Sequence, residues 1–297
     1  LLITVSNLRF LKTLKISSGD VNDIDFYPSV SILVPARNEE DRIVKCLASL
    51  SSQNYEKLEI IVLDDRSTDN TVEVVKSQIE QDPRVKLLRG KELPDGWLGK
   101  HWACHQLFEK STGDLVLFID ADTVLLPESI TASVNVFTEN DPELLTAMPR
   151  RMVGCMADRL MFPFIDWILF CWMPMKMAHR RKNSYLSATF GQFMLFKREA
   201  YQDIGGHSAV RSDPIDDFNL GRMTKRHGLK WVMFDGAECV EVLPSKGNVD
   251  ALRNISRSIF PTFNYHISIF VLTSMVLAVL GFVPIITVIN LVMFTAG

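Results

Sequence analysis

Residues 115–122 read LVLFIDAD, five apolar residues followed by a motif with aspartates at positions 120 and 122. A short apolar run that ends in polar residues is typical of a buried strand. In open α/β sheets, ligands bind at the carboxyl ends of the strands. Two carboxylates there can hold a hard divalent cation, which takes its other ligands from water and phosphate oxygens. Asp120 and Asp122 are therefore predicted metal ligands, although so short a motif also fits a plain polar turn.

The same arrangement occurs twice upstream. Val30–Val34 leads into PARNEE (residues 35–40), and Leu58–Leu63 leads into DDRSTD (residues 64–69). Helical patterns separate these strands, and a further strand is predicted at Val85–Leu88. Alternating strands and helices indicate an α/β fold, a mostly parallel sheet with helices on both faces. The three acidic clusters should then share one edge of the sheet, which favours a binding site over three unrelated turns.

Three side chains at this edge suit a nucleoside diphosphate. Asp65 can accept hydrogen bonds from a base or a ribose, and Arg37 can bind a diphosphate in bidentate fashion. Lys100 follows Gly99 at a predicted helix start, where an anion is favoured. The alternatives are helix capping for the aspartate and solvated surface charge for the two basic residues.

Further downstream, Asp216 and Asp217 open a predicted helix that ends at Gly228. Acidic residues in a first turn often only complement the helix dipole. Beside a metal-bound sugar nucleotide, however, a carboxylate could take the proton from an acceptor hydroxyl. His101 and His105 have the spacing of zinc ligands, but Trp102 occupies the position of the expected glutamate. Ordinary packing is the favoured interpretation of this histidine pair.

Composition excludes some classes of partner and indicates others. The chain has 297 residues and a net charge of -3, so no basic excess indicates nucleic acid as a partner. Its five scattered cysteines indicate reduced thiols. Residues 267–297 contain no Asp, Glu, Lys or Arg. Since about 20 apolar residues span a bilayer as helix, this stretch predicts a transmembrane helix, or two separated at Pro284.

The segment Arg159–Ala178 is nearly long and apolar enough to span a membrane, but it lies between the metal motif and Asp217. A single crossing would put these residues on opposite sides, so a helix lying in the membrane interface is expected instead. Basic residues 179–182 should then meet anionic headgroups. The chain starts without a methionine and stops inside an apolar stretch, so both ends are interpreted as cut. Residues 1–28 are interpreted as an N-terminal segment, and its first eight residues, LLITVSNL, are compatible with the end of an earlier membrane helix without establishing one.

In combination, the motifs from Ser31 to Arg257 resemble those of family-2 glycosyltransferases. The segments that carry the resemblance are SILVPARNEE (31–40), LDDRSTDNT (63–71), FIDADT (118–123), GQFMLFKREAYQDIGGH (191–207) and IDDFNLGRMTKRHG (215–228). In the last of these, Asp216 replaces the usual glutamate of a Glu-Asp motif. LPDGWLGKHWACHQL (93–107) resembles the membrane-associated branch that glycosylates carotenoid or hopanoid-type lipids.

The resemblance implies a GT-A-like fold and an inverting, metal-dependent transfer from a nucleotide-sugar, a UDP-sugar, to a hydroxyl or carboxyl of a membrane lipid. It implies Mg²⁺ or Mn²⁺ at Asp122 and Asp120, and Asp217 as the catalytic base beside Asp216. The residues it assigns to the nucleotide-sugar are Pro35, Ala36, Arg37, Glu39, Asp65, Lys100 and Asp120. The resemblance also implies an acceptor of the polyisoprenoid, carotenoid or hopanoid type and the bilayer as a partner, and the catalytic domain is expected on the cytoplasmic side of the cell membrane.

The predicted organisation is a glycosyltransferase domain over residues 29–258 and a transmembrane region over 265–297. Within the domain, residues 29–140 form the nucleotide-binding half and 141–258 the acceptor half, with the interfacial helix at 159–178. Processive members of the family carry a Gln-x-x-Arg-Trp motif, where this chain has NISRS at residues 254–258. This difference favours transfer of a single sugar. A nucleotidyltransferase and a catalytically inactive membrane scaffold are the alternatives. The absence of glycine from PARNEE disfavours the first, and the intact acidic motifs disfavour the second.

Overall fold

The structure is a computed structural model that describes residues 2–14, 27–262 and 266–295. In the last two helices, the side chains of residues 258–262, 269–270, 278, 284–285, 288–289 and 291–295 are not described. The chain divides into two units, Leu1–Asn248 and Val249–Gly297, and all the predicted site residues lie in the first unit.

Within the described residues there are ten strands: β1 (Val30–Ala36), β2 (Leu58–Asp64), β3 (Val85–Arg89), β4 (Leu115–Phe118), β5 (Thr123–Leu125), β6 (Leu144–Met148), β7 (Arg150–Arg151), β8 (Met194–Lys197), β9 (Trp231–Asp235) and β10 (Val240–Val242). Seven form the main sheet, in the order β3-β2-β1-β4-β8-β6-β9. Strand β8 is antiparallel to β4 and β6, and the other pairs are parallel. The predicted mostly parallel sheet is confirmed.

The helices of the described residues are α1 (Leu2–Phe10), α2 (Glu40–Ser51), α3 (Thr71–Gln81), α4 (Gly99–Lys110), α5 (Ser129–Asn140), α6 (Met156–Trp172), α7 (Met175–Arg180), α8 (Arg198–Asp203), α9 (Gly206–Ala209), α10 (Asp216–Arg226), α11 (Asn248–Thr262) and α12 (Ile267–Thr295). Helices of the first unit pack on both faces of the main sheet, because successive strand residues point to opposite sides and contribute to two separate cores. Ile32 packs in the core with α2, α3 and α5, whereas its neighbour Leu33 packs in a second core with α4, α8 and α10.

The small second sheet, β5-β10-β7, lies beside the metal motif. Strand β10 pairs antiparallel with β5, which follows Asp122 directly, and parallel with β7. The amide of Leu243 donates to the carbonyl oxygen of Asp122 at 2.9 Å. A segment more than a hundred residues further along the chain therefore fixes the backbone of the metal motif.

The segment 159–178 is not one helix, as predicted, but two, α6 and α7, with a break at Met173–Pro174. The break follows from Pro174, which has no amide hydrogen and keeps the preceding residue extended. The buried Asn7 of α1 supplies the missing hydrogen bonds. Its Nδ2 donates to the carbonyl oxygens of Phe170 and Met173 at 2.8 and 2.7 Å, and its Oδ1 accepts from the amide of Met175 at 3.0 Å.

Within the described part of the chain, no helix has both the length and the apolar character needed to cross a membrane. The predicted transmembrane region at 265–297 is therefore not confirmed. Residues 265 and 296–297 of that region lie outside the described residues, as do Leu1 and residues 15–26 of the predicted N-terminal segment.

Candidate active site

Three acidic loops meet at one edge of the main sheet, as the sequence predicts. Strands β1, β2 and β4 are adjacent and parallel, with Ala36 opposite Asp64 in the register. The amide of Asp65 donates to the carbonyl oxygen of Ala36 at 2.8 Å, which joins the PARNEE and DDRSTD loops. Ile119, just before the DAD motif, donates to the carbonyl oxygen of Leu33 at 3.2 Å. The carboxyl ends of all three strands thus deliver acidic residues to one place.

The first two loops hold each other in a strained conformation. Asn38 and Arg66 have positive φ angles of 55° and 58°, which non-glycine residues rarely adopt. The Asn38 side chain accepts from the amide of Thr68 at 2.8 Å, and the Asn38 amide donates to the Ser67 hydroxyl at 3.0 Å. Strain of this kind persists only where the surroundings enforce it, and it is concentrated at functional sites.

The two aspartates of the second loop have different environments. Asp64 is fully buried, and its carboxylate accepts from Arg89 Nη1 at 2.8 Å and from the Ser67 amide at 3.2 Å. Among the residues that the structure describes, the Asp65 carboxylate forms longer ion pairs, to Arg37 at 3.6 Å and to Arg66 at 3.5 Å. Asp64 is therefore structural, and Asp65 is the aspartate whose carboxylate suits a nucleotide.

Of the other predicted nucleotide residues, those at the end of β1 and at the start of α4 lie next to Asp65. A Cβ atom on Gly99, at the start of α4, would lie 3.2 Å from Asp65 Oδ2, so the helix start carrying Lys100 lies against this carboxylate. The Glu39 carboxylate forms an ion pair with Arg42 at 3.7 Å. The backbone amide of Glu39 donates to Thr71 Oγ1 at 2.9 Å. Pro35 and Ala36 form the end of β1 and contribute backbone to the loop. Nucleotide binding by these residues stays a prediction.

The residues of the metal motif fit a divalent cation. Asp122 Oδ1 is buried and has no hydrogen-bond partner among the described residues. Burial and the charge of Asp120 raise the pKa of Asp122 to about 7, and Arg42 offsets this only in part. Two like charges in a buried place favour a cation between them. No group of three or more metal-binding side chains occurs in the described residues, so the pair would need phosphate or water as further ligands.

The acid pair at the start of α10 is split electrostatically. Burial and the neighbouring Asp216 raise the pKa of Asp217 to about 7. Burial opposes ionisation of Asp216 too, but Lys100 and His207 outweigh it and hold the pKa of Asp216 well below its usual range. One carboxylate of the pair is thus permanently charged, and the other can exchange a proton near neutral pH, which is the property required of a general base.

Gly191 contacts Asp217, the predicted base. Its amide donates to Asp217 Oδ2 at 3.0 Å, and the Phe218 amide donates to Asp217 Oδ1 at 2.7 Å. A Cβ atom on Gly191 would lie 3.2 Å from Asp217 Oδ2 and 3.6 Å from Lys100 Nζ. The first distance is tighter than an ordinary van der Waals contact, so a side chain at position 191 would crowd the Asp217 carboxylate. Gly191 is the first residue of the motif at 191–207, and the sequence by itself predicted no role for it.

Lys100 joins the two acidic motifs. Its Nζ lies 2.7 Å from Asp120 Oδ1 and 3.8 Å from Asp216 Oδ2. Burial disfavours its charge, but Asp120 and Asp216 outweigh this and raise the pKa of Lys100 well above its usual value. The sequence predicted a diphosphate contact for Lys100, but it did not predict that the Lys100 ammonium group lies between Asp120 and Asp216.

The histidines of α4 have packing roles, as expected. His101 is buried, and its Nε2 donates to the carbonyl oxygen of Asp213 at 2.8 Å. His105 stacks on Trp102 with ring centroids 5.6 Å apart. His207 was missed as a site residue, although it ends a segment quoted above. It is fully buried, and its Nε2 lies 3.4 Å from Asp216 Oδ2.

Comparisons with known proteins show which family the chain belongs to. The sequence profile of glycosyl transferase family 2 matches residues 31–205, which are more than half of the chain. The match includes the three acidic loops and continues to the end of α8. The chain belongs to glycosyl transferase family 2.

Among curated relatives of this family, the 4,4'-diaponeurosporenoate glycosyltransferase of Staphylococcus haemolyticus is 29% identical over 210 residues, which are 70% of this chain and 54% of that protein. An N-acetylglucosaminyltransferase of Mesorhizobium japonicum is 39% identical over 118 residues, 39% of this chain and 27% of its own length. The chain thus spans about half the length of the first of these relatives, and less of the second.

Solved structures of similar fold include the mannosyltransferase PcManGT of Pyrobaculum calidifontis, with a TM-score of 0.59 and 20% identity over 86% of this chain and 71% of that one. Glucosyl-3-phosphoglycerate synthase of Mycobacterium tuberculosis has a TM-score of 0.55 and 20% identity, over 86% of this chain and 87% of its own. At this identity the likeness concerns the fold. The family-2 chain has the GT-A-like fold that its motifs predicted.

Proposed function

We propose that the protein transfers a single sugar from a nucleotide-sugar to a membrane lipid, with inversion at the anomeric carbon. The observation that carries the proposal is Lys100, whose ammonium group lies between Asp120 of the metal motif and Asp216 of the acid pair. This position supports one shared site for the predicted phosphate-binding residues and the predicted base. The family match favours glycosyl transfer over nucleotidyl transfer, and the intact acid pair argues against an inactive scaffold.

The proposed donor is a UDP-sugar bound with Mg²⁺ or Mn²⁺. Asp122 and Asp120 would hold the metal, and the unpartnered Asp122 Oδ1 supports this assignment. Similar folds were solved with such ligands, namely PcManGT with GDP-Man and Mn²⁺ and the glucosyl-3-phosphoglycerate synthase with UDP and Mn²⁺. A divalent cation at this position neutralises the charge that develops on the departing diphosphate.

The protein's own residues would do the rest of the chemistry. Asp65, Arg37 and Glu39 would hold the nucleotide, and Lys100 would change partner from Asp120 to the diphosphate when the donor enters. Asp217 accepts the proton of an acceptor hydroxyl as its oxygen forms the bond to the anomeric carbon. The bond from that carbon to the diphosphate breaks, and the nucleoside diphosphate leaves with the electron pair. An acceptor carboxylate would carry no proton to remove, so Asp217 would matter less for it.

The proposed acceptor is a lipid of the polyisoprenoid, carotenoid or hopanoid type. The name of the staphylococcal relatives, 4,4'-diaponeurosporenoate glycosyltransferase, supports an apolar acceptor. Helix α6 has large exposed apolar side chains, among them Leu160 at 65% and Phe164 at 41% exposure. Asp166, in the second half of the helix, is paired with Arg151 at 2.5 Å. We propose that this helix lies on the cytoplasmic surface of the cell membrane.

A screen of sugar nucleotides against membrane lipid extracts, followed by mass spectrometry, tests the proposal. The expected result is a lipid product whose mass increases by one sugar, in the presence of Mg²⁺ or Mn²⁺. A nucleotidyltransferase would instead release diphosphate from a nucleoside triphosphate. Failure of every sugar nucleotide to produce a glycosylated lipid would contradict the proposal.

The pH dependence of transfer to a hydroxyl acceptor should report Asp217. Because the pKa of this residue is raised to about 7, the base is mostly protonated at acidic pH. We expect kcat to fall roughly tenfold per pH unit below about 7 and to reach a plateau above it. The measurement uses saturating donor and metal, so that Asp122 remains ionised throughout. A kcat that is constant between pH 6 and pH 8 would contradict the assignment of Asp217.

The exposed face of α6 should determine how well the lipid acceptor is used. Leu160 and Phe164 are one helical turn apart, and burial of each in lipid is worth about 1.5–3 kcal/mol. Replacing both with glutamate should raise KM for the lipid acceptor at least about tenfold, with KM for the sugar nucleotide unchanged. Val44→Glu on α2, where the valine is 48% exposed, is the matched control and should leave both values unchanged. Equal acceptor KM values for the double variant and this control would contradict a membrane-facing α6.

A further inference from the structure

Asp216 is supported from behind by a buried histidine. His207 follows the Gly205–Gly206 turn and is fully buried, with its ring 4.9 Å from that of Phe118 on β4. Its Nε2 and Asp216 Oδ2 are 3.4 Å apart, and neither atom has a standard hydrogen bond to another described residue. This distance is long for a hydrogen bond, but such contacts are often long before substrate binds.

The proton position on His207 follows from Tyr201. The Tyr201 hydroxyl accepts from the backbone amide of His207 at 2.9 Å and lies 2.5 Å from the Nδ1 of the same ring. Its own proton therefore points to Nδ1, the one acceptor that the described residues place within its reach. Burial lowers the pKa of His207, so the ring is neutral and carries one proton. With Nδ1 acting as acceptor, that proton is on Nε2 and faces Asp216.

The local backbone is shaped to give this contact. Gly206 has a φ of +50°, and a Cβ atom there would lie 2.4 Å from Cε1 of the Tyr201 ring. Only glycine allows both the left-handed turn and the close approach of the tyrosine. The arrangement is more than space filling, because apolar packing needs neither the hydroxyl of Tyr201 nor a ring nitrogen directed at Asp216.

We propose that His207 is a positioning residue for sugar transfer: its Nε2–H holds the Asp216 carboxylate in place beside Lys100, and the Tyr201 hydroxyl fixes the histidine tautomer that makes this possible. The inference rests on the proposed function of the site. Asp216 in turn contacts Lys100 and adjoins Asp217. His207 thereby keeps the ammonium group and the base in fixed positions without touching either substrate.

The test compares His207→Gln, which keeps a side-chain N–H donor, with His207→Phe, which keeps a ring but has no donor. We expect His207→Phe to lower kcat about 10–100-fold with KM for the sugar nucleotide within twofold, since small misplacements of reacting groups have effects of this size. His207→Gln should regain at least tenfold of that loss. Tyr201→Phe removes only the hydroxyl and should lower kcat as well, and thermal unfolding checks that each variant is folded.

A spectroscopic readout separates this proposal from the proposed function. In the full-length protein with ¹⁵N-labelled histidine, NMR should show His207 protonated at Nε2, and Tyr201→Phe should populate the Nδ1–H tautomer. A wild-type ring protonated at Nδ1, or equal kcat values for His207→Gln and His207→Phe, would overturn the proposal. If the wild-type protein transferred no sugar, the proposed function would fail. The tautomer would then decide whether His207 donates to Asp216.

Discussion

Asp217→Asn is expected to lower kcat for a hydroxyl acceptor by about 10²–10⁴-fold, the usual effect of removing a general base. The amide has nearly the shape of the carboxylate, so it can still accept a hydrogen bond from the Gly191 amide, but it cannot take the acceptor's proton. Affinity for the nucleotide-sugar should stay near that of the wild type, because the loss concerns the transition state. Steady-state kinetics and donor titration measure the two quantities separately.

Asp216→Asn is the matched control within the acid pair. Asp216 is held ionised by Lys100 and His207, so its loss should disturb Lys100 and reduce both donor affinity and kcat moderately. It should also lower the pKa of Asp217, because Asp216 raises that pKa. The acidic limb of the pH profile would then move to lower pH. A larger loss of kcat in Asp216→Asn than in Asp217→Asn would reverse the roles of the two residues.

Asp122→Ala should lower the rate of sugar transfer by roughly 10³-fold or more. Charge neutralisation by a metal is worth several kcal/mol in the transition state, and the variant would lose it. The variant should also lose a physical response. Wild-type protein should be stabilised against heat by Mn²⁺ with UDP, since ligands that bind only the folded state raise its stability. In Asp122→Ala the increase in melting temperature should disappear, because no bridging cation is held.

Asp203→Ala provides the control for this variant, because Asp203 is an exposed aspartate on α8, outside the three acidic loops. It should keep both the activity and the stabilisation by Mn²⁺ with UDP. EDTA should abolish wild-type activity, and added Mg²⁺ or Mn²⁺ should restore it. Near-wild-type, EDTA-sensitive activity in Asp122→Ala would show that Asp122 is not an essential ligand.

The sequence by itself determined the strands and helices of the first half and the edge at which they deliver acidic residues. Its predicted boundaries at Leu58–Leu63 and Val85–Leu88 agree with β2 and β3 to within one residue. This succeeded because apolar runs that end abruptly in charge are local patterns, and because the carboxyl ends of parallel strands must lie together. The motifs also predicted the family, because several short segments resemble its motifs in combination.

Other features depended on contacts between distant residues, and only the tertiary structure decided them. The pattern at 159–178 predicted one helix, whereas Pro174 and the side chain of Asn7, far away in sequence, produce two. Nothing local distinguishes Asp64 from Asp65, because the difference arises from Arg89 on the neighbouring strand.

The same holds for the centre of the site. Folding brings Lys100 within 4 Å of Asp120 and of Asp216, which are 20 and 116 residues away in the sequence. It also brings His207 within 4 Å of Asp216. Their ionisation depends on burial and on the nearest charges, which act through space and leave no periodic pattern in the sequence. The sequence therefore determined which residue types are present, and the tertiary structure decided which carboxylate stays charged and which one can act as a base.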